Sequence, residues 1–200
     1  ERKGLLALAG WCYYRRREYE QARARFLTAD PVPFAIEGLA YLAAYQDKND
    51  SALMEYAQRL GYTINVQNAI TVRARDLDST ITYDQVMRGV LRFSEDTVEM
   101  ANLCHNAGRF FFHKPRDRSD LITVLGLFEM ARTRYGVDRN WHHRGALNYW
   151  RSRVLEDLLG QRAALEAARD SLYCWTQQMI IDPTTGSHKQ QWENAVKRIR

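Results

Sequence analysis

The feature that most constrains this chain is the stretch Leu5 to Ala29, LLALAGWCYYRRREYEQARARFLTA, in which small and aromatic residues recur at Ala9, Gly10, Tyr13, Tyr19, Ala22, Phe26 and Ala29 with charges between them. Ala9, Gly10 and Tyr13 share one face of a helix, while Ala22, Phe26 and Ala29 share one face of a second. Neither helix can shield its stripe alone, so the two are expected to fold back on each other. A small residue on each lets the backbones approach closely. An ordinary amphipathic hairpin would also place its residues in this way.

Gly10, Tyr13, Tyr19, Ala22, Phe26 and Ala29 fall in register on the tetratricopeptide repeat (TPR), a helix hairpin that recurs about every 34 residues, and the stretch resembles that family. Leu6 stands where the family carries an early tryptophan, Ala9 where it carries a leucine, and Phe34 where it carries a proline, with Pro31 and Pro33 just before. The resemblance implies an all-α fold, an α-α superhelix built as a TPR-like solenoid of antiparallel helix hairpins, right-handed and with a continuous concave surface. It further implies a non-catalytic scaffold that holds a partner protein or extended peptide in that concavity. The first hairpin is also similar to bacterial repeat scaffolds of exopolysaccharide synthesis and export, such as the repeat protein of the cellulose synthase operon and the pellicle-export scaffold. That likeness implies recruiting a polysaccharide-modifying enzyme or guiding a polymer to an outer-membrane pore. The basic surplus and the tryptophans keep a polyanion- or carbohydrate-binding helical module as the alternative, with an anionic polysaccharide as its partner. Three cysteines without a CxxC leave bacterial cytoplasm and periplasm both open.

At 200 residues, 46% of them hydrophobic, the chain can build a sizeable core as one large or two small domains. No run of about 18 apolar residues predicts a membrane span, and no basic-then-apolar leader opens the chain. The sequence starts in mid-pattern at Glu1 without a Met, which reads as a segment of something longer. Cys12, Cys104 and Cys174 lie far apart inside apolar helical patterns and are expected as small buried hydrophobes. The net charge is +5, yet the basic residues form no single stripe: Arg15, Arg16 and Arg17 fall in the first turn, and Arg151, Arg153 and Arg162 alternate with Glu156, Asp157 and Glu166. A solvated charged face is the expectation, and nucleic acid is not an expected partner.

Three stretches of organisation follow along the chain. Residues 1–61 hold two TPR-like hairpins. In the second, Ile36, Leu39, Ala40 and Ala43 line the first helix, Lys48-Asn49-Asp50 make the turn, and Ala52, Tyr56 and Leu60 line the second helix before Gly61 ends it. Residues 62–94 form an irregular linking segment with a helix. Its β-branched residues weaken the helical signal, so a helix over Val66–Arg75 is the first expectation and a strand pair the second; Asp78-Ser79 or Thr82 caps a helix over Tyr83–Phe93. Residues 95–200 hold further degenerate hairpins and a terminal helix. Ser94 is expected to cap a helix lined by Val98, Ala101, Leu103, Cys104, Ala107 and Phe111. Ser119 starts one lined by Leu121, Val124, Leu125, Phe128, Ala131 and Tyr135, closed by Gly136. Trp141–Leu159 turns Ala146, Tyr149, Trp150, Val154 and Leu158 inward, and Ala164, Ala168 and Leu172 line the helix after Gly160. Asp182–Gly186 is a loop of turn formers, after which Ser187 caps the last helix.

Chemistry-bearing patterns are sparse. Asp76-Leu-Asp-Ser-Thr-Ile81 looks like the DxDxT signature of haloacid-dehalogenase phosphohydrolases, in which the first Asp is nucleophile and the second general acid. That chemistry needs the aspartates at the tip of a strand in a parallel sheet, and Val72-Arg73-Ala74-Arg75 is no such strand. His105, His113, His142, His143 and His188 lack carboxylates at metal-ligand spacing, so no metal site is assigned; His142-His143 beside Trp141 is the one cluster worth a metal test. No catalytic residue and no cofactor is assigned. The aromatic set Trp141, Tyr149, Trp150, Tyr173, Trp175 and Trp192 suits packing between successive helices better than sugar stacking. Candidate partner contacts are Tyr14, Arg16, Tyr41, Tyr45 and Gln46, which lie on or beside the faces of the first helices of the first two hairpins.

Overall fold

The computed structural model describes residues 2–93, 97–114, 117–135 and 141–199. Among them the fold is all-α, with eleven helices and no strand. The chain divides into two compact units, Glu1–Phe93 and Ser94–Arg200. The first holds α1 (Arg2–Arg15), α2 (Tyr19–Ala29), α3 (Pro33–Tyr45), α4 (Asp50–Arg59), α5 (Ile64–Arg73) and α6 (Tyr83–Val90). The second holds α7 (Val98–His113), α8 (Arg118–Arg134), α9 (Trp141–Leu159), α10 (Gln161–Ile181) and α11 (Gly186–Ile199).

Both units obey one packing rule. The second helix of each pair lies against its own first helix and against the first helix of the next pair, so α2 touches α1 and α3, α4 touches α3 and α5, α8 touches α7 and α9, and α10 touches α9 and α11. First helices also touch one another in sequence, α1 with α3, α3 with α5, α7 with α9 and α9 with α11. Helices packed in neighbouring pairs by this rule form an α-α superhelical stack, because each pair buries the stripe that its neighbour leaves open.

The physical reason is a recurring contact between a glycine and an aromatic ring. A Cβ at Gly10 would lie 2.5 Å from the ring of Phe26, and one at Gly38 would also run into that ring. Phe26 is thus clasped between α1 and α3 and is fully buried with Ala22, Ala29, Leu39 and Leu42. The ring of Phe128 meets Gly108 in the same way, and that of Trp175 comes 2.8 Å from a Cβ at Gly145. Each time, a first helix gives up its side chain so that a large ring of a second helix can press on the backbone.

Several expectations shift in register. In α4 the buried residues are Leu53 and Ala57, with Ala52 and Tyr56 at the flanks. Asn49 caps the helix by accepting from the Ala52 N–H at 3.0 Å, and that start sets the phase, since one residue turns a helix by about 100°. α5 forms where the first expectation put a helix, capped by Thr63, and α6 opens with a capping box between Thr82 and Gln85. Thr97 caps α7 and Asp117 caps α8, the latter in place of Ser119. Ser94 and Gly136 lie outside the described residues. On α9 the buried face is Gly145, Leu147, Asn148, Ser152 and Val154, and Ala146, Tyr149, Trp150 and Leu158 are only partly covered. Polar Asn148 and Ser152 read as solvent residues, but Asn148 hydrogen-bonds with Cys174 and the Ser152 hydroxyl donates to the Tyr149 carbonyl at 2.7 Å, so both are buried with partners. On α10 Ser171 and Trp175 are buried and Leu172 is partly exposed; the Ser171 hydroxyl donates to the Gly145 carbonyl at 2.8 Å, which satisfies it there. Cys104 and Cys174 are buried as expected, whereas Cys12 is exposed.

Candidate functional site

α1 and α3 each carry two stripes. One holds Ala7 and Gly10 on α1 and Leu39, Ala40 and Ala43 on α3, and it is buried. The other holds Leu8, Trp11, Cys12 and Arg15 on α1, at i, i+3, i+4 and i+7, and Phe34, Glu37, Tyr41 and Tyr45 on α3, at i, i+3, i+7 and i+11, the spacings of a helix face. This second stripe borders an open groove of ≈ 360 Å³, lined by Leu8, Trp11, Cys12, Arg15, Phe34, Glu37 and Tyr41, with Asn65 of α5 at its edge.

Trp11 is the hub of the groove. Its ring centroid lies 5.4 Å from Tyr14, 5.4 Å from Phe34 and 5.3 Å from Tyr41, and 5.5 Å from the buried Phe26 behind it. Its indole N–H donates to the Phe34 carbonyl at 3.0 Å, so the ring is held by a polar anchor as well as by packing. Tyr14 meets Tyr41 at 6.3 Å, and Tyr41 meets Tyr45 at 5.5 Å, which extends the aromatic run along α3. Burial, with Glu37 and Tyr14 nearby, pushes the Tyr41 hydroxyl up to about 12; burial also raises Tyr45, and burial and Tyr19 raise Tyr14. These hydroxyls are therefore neutral at ordinary pH and offer hydrogen bonds without charge. Toward the start of α1 and α3 the surface is purely apolar, with Leu5, Leu8 and Phe34 exposed around Gly4.

The sequence candidates divide. Tyr14, Tyr41 and Tyr45 belong to this one aromatic run. Arg16 sits in the turn after α1, exposed and paired with Glu18 at 2.7 Å, and Gln46 is the C-cap of α3; neither touches the groove's rings. Trp11, Phe34, Leu8 and Asn65 were not among the candidates. The second stripe on α1 and α3 was the available signal, since a helix in an ordinary hairpin needs only one.

Asp76 and Asp78 follow a helix, not a strand. Both pair with Arg73 Nη1, Asp78 at 2.7 Å and Asp76 at 3.3 Å, while Arg73 Nη2 donates to the Lys48 carbonyl at 3.1 Å. Asp50 Oδ1 lies 2.9 Å from Arg73 Nε, a charge contact out of line for a hydrogen bond, and Asp50 Oδ2 accepts from Ser79 and Thr80. The guanidinium thereby ties the start of α4, the end of α5 and the loop that follows. The Arg73 hydrogen bond also holds the Asp78 carboxyl below its usual range.

In the second unit His142 gathers His143, Trp175 and His188, with ring centroids 5.2, 5.2 and 5.4 Å away. Among the described residues no three His, Cys, Asp or Glu side chains come together so as to hold a metal. Desolvation lowers His143, which stacks on buried Tyr135, and desolvation with His143 and His188 lowers His142. A base lowered on folding is protonated first in the unfolded chain, so its stabilising effect is whole above about pH 6.5 and is lost as the pH falls below it. The melting temperature of the second unit is accordingly expected to drop as the pH goes from about 8 to about 5.5, and His143→Phe to flatten that profile in thermal melts. Elsewhere in this unit the guanidinium carbons of Arg109 and Arg153 lie 5.1 and 5.5 Å from the centre of the Trp150 ring. Trp150 thus packs between helices α7 and α9, whereas Tyr173 of the same aromatic set is exposed.

Comparison with protein-family models, with curated proteins and with solved structures finds no match for this chain. Among the described residues no helix is long and apolar enough to cross a membrane.

Proposed function

We propose that the chain is a non-catalytic, TPR-like scaffold whose α1/α3 groove holds an extended segment of a partner protein. The observation that carries this reading is the second stripe itself: Leu8, Trp11, Phe34 and Tyr41 form a ready-made, half-buried aromatic surface along an open groove. Rigid aromatic rings give large contact area at low entropic cost, and the neutral tyrosine hydroxyls and Asn65 can pair with a peptide backbone. Apolar Leu5, Leu8 and Phe34 at one end suit an apolar anchor side chain. A place in exopolysaccharide synthesis or export rests on the likeness of the first hairpin alone.

The test is selection of binding peptides from a random displayed library against the full chain, followed by titration of the winners. Hot-spot truncations cost about 2 kcal/mol or more, so Phe34→Ser and Tyr41→Ser should each weaken binding by about 30-fold. Tyr173→Ser, an exposed ring on α10, should leave it unchanged. Peptides indifferent to Phe34 and Tyr41 would refute the groove as the binding surface.

A further inference from the structure

The first unit contains a second cavity, separate from the groove, of ≈ 200 Å³. Its lining comes from α4 (Met54), the turn after it (Tyr62), α5 (Gln67, Ile70), α6 (Gln85, Arg88, Gly89) and Arg92 just beyond. α4 ends with Gly61 N–H on the Gln58 carbonyl and Tyr62 N–H on the Ala57 carbonyl, the double bond of a Schellman close. Gly61 has φ +69°, and Tyr62 itself has φ 60°, a left-handed conformation rarely tolerated by a ring-bearing residue. The turn delivers the Tyr62 ring beneath Arg92, whose guanidinium carbon lies 4.1 Å from the ring centre.

Gln67 is the telling residue. It is 2% exposed, and its Nε2 is buried with no hydrogen-bond partner. A Cβ at residue 89 would run into the Gln67 amide, so Gly89 is what admits it. A buried N–H left unpaired costs about 1–3 kcal/mol, a penalty that a bound acceptor would remove.

The other polar groups on the wall are also donors. Arg88 Nε reaches only the Asp84 carbonyl of its own helix, at 3.2 Å, and Arg92 rests on the Tyr62 ring. Among the described residues neither guanidinium has a carboxylate partner, and no Asp or Glu lines the cavity. Gln85 Oε1 is occupied by the Thr82 N–H at 2.7 Å, so its amide N–H groups are what it has left to offer. Two cationic forks, a stranded amide donor and no anion describe the complement of an acceptor-only, negatively charged group. We infer that this cavity binds a small oxyanion, a phosphate or carboxylate, free or carried on a larger molecule. At ≈ 200 Å³ the space falls below the range of about 300–1,000 Å³ usual for drug-sized ligands, which fits such a group and little more.

The test uses the full chain, titrated by calorimetry and thermal melting with inorganic phosphate and, separately, with malonate, each against sodium chloride at matched ionic strength. A saturable rise in the melting temperature of the first unit is expected with one or both. A response to phosphate alone assigns phosphate chemistry, and a response to malonate alone assigns carboxylate chemistry. Arg88→Gln and Arg92→Gln should each weaken binding by about tenfold or more, as loss of a charge-assisted bond would. Gln67→Leu should abolish binding without lowering the melting temperature of the free protein. Arg25→Gln, an exposed arginine on α2, and Tyr41→Ser in the groove should leave the response intact, which separates this site from the peptide surface. The inference is overturned if neither anion gives a saturable response at concentrations on the order of tens of millimolar, or if the response survives Arg88→Gln combined with Arg92→Gln.

Discussion

Phe26→Ala should remove about 3–5 kcal/mol from the first unit, the cost of deleting a fully buried aromatic ring and leaving a cavity. Phe26 is fully buried. The loss should be near the top of that range, because the glycine backbones of α1 and α3 press on the ring, and a helix axis cannot relax into a hole as a flexible side chain can. The complementary substitutions push the other way. Gly38→Ala or Gly10→Ala would drive a methyl into the ring and cost about 1–3 kcal/mol by overpacking. Shrinking the ring should rescue them, so Gly38→Ala should be milder in a Phe26→Leu background, with a coupling of about 0.5–3 kcal/mol. Denaturant unfolding followed through Trp11, the one tryptophan of the first unit among five in the chain, measures each arm. Additive penalties would mean that the ring and the glycines do not share one space.

Arg73→Met should cost a similar amount, about 3–5 kcal/mol, through a different cause. The Arg73 side chain is 2% exposed and that of its partner Asp50 is 10%, whereas Asp76 and Asp78 are 42% and 62% exposed. Exposed pairs contribute about 0–1 kcal/mol, so the two loop aspartates matter little to stability, and nearly all the effect comes from leaving the largely buried Asp50 carboxylate without its counter-charge. Asp76→Asn and Asp78→Asn should accordingly be mild. Arg73→Lys should recover only part of the loss, since an ammonium cannot reach Asp50, the loop carboxylates and the Lys48 carbonyl from one planar fork. Equal effects of Arg73→Met and Asp78→Asn in denaturant unfolding would contradict this division.

The pairing of helices was legible because it depends on periodicity: Gly10, Ala22, Phe26, Ala29, Leu39, Ala40 and Ala43, and then Ala101, Leu103, Cys104, Ala107, Phe111, Val124, Phe128 and Ala131, are buried where spacing puts them, whereas Val98 is exposed and Ala9, Tyr13, Leu121 and Leu125 are only partly covered. What escaped was phase. Ala52 and Tyr56 resemble Ala22 and Phe26 by type, yet the Asn49 cap rotates α4 so that Leu53 and Ala57 turn inward, and a cap's effect on phase is not visible in the composition of the stripe. On α9 the inward face carries Asn148 and Ser152, which hydrophobicity assigns outward; their partners, Cys174 on the opposite helix and the Tyr149 carbonyl, are not visible in the stripe. For the groove, spacing found Tyr14, Tyr41 and Tyr45 but took neighbours in sequence, Arg16 and Gln46, for neighbours in space. Trp11 was overlooked because on α1 only the face of Ala9, Gly10 and Tyr13 was followed. The oxyanion cavity had no sequence signal, since Gln67, Arg88 and Arg92 are brought together by the close of α4 at Gly61 and Tyr62.

The most direct test of the scaffold reading is a nuclear magnetic resonance titration of the full chain with a selected peptide, following the Trp11 indole N–H, whose bond to the Phe34 carbonyl lies in the floor of the groove. The Trp11 resonance, assigned by its loss in Trp11→Phe, is expected to shift together with the amides of Phe34 and Tyr41, while the indoles of Trp141, Trp150, Trp175 and Trp192 stay in place. A peptide that binds and moves only those second-unit indoles, leaving Trp11 where it was, would contradict the account.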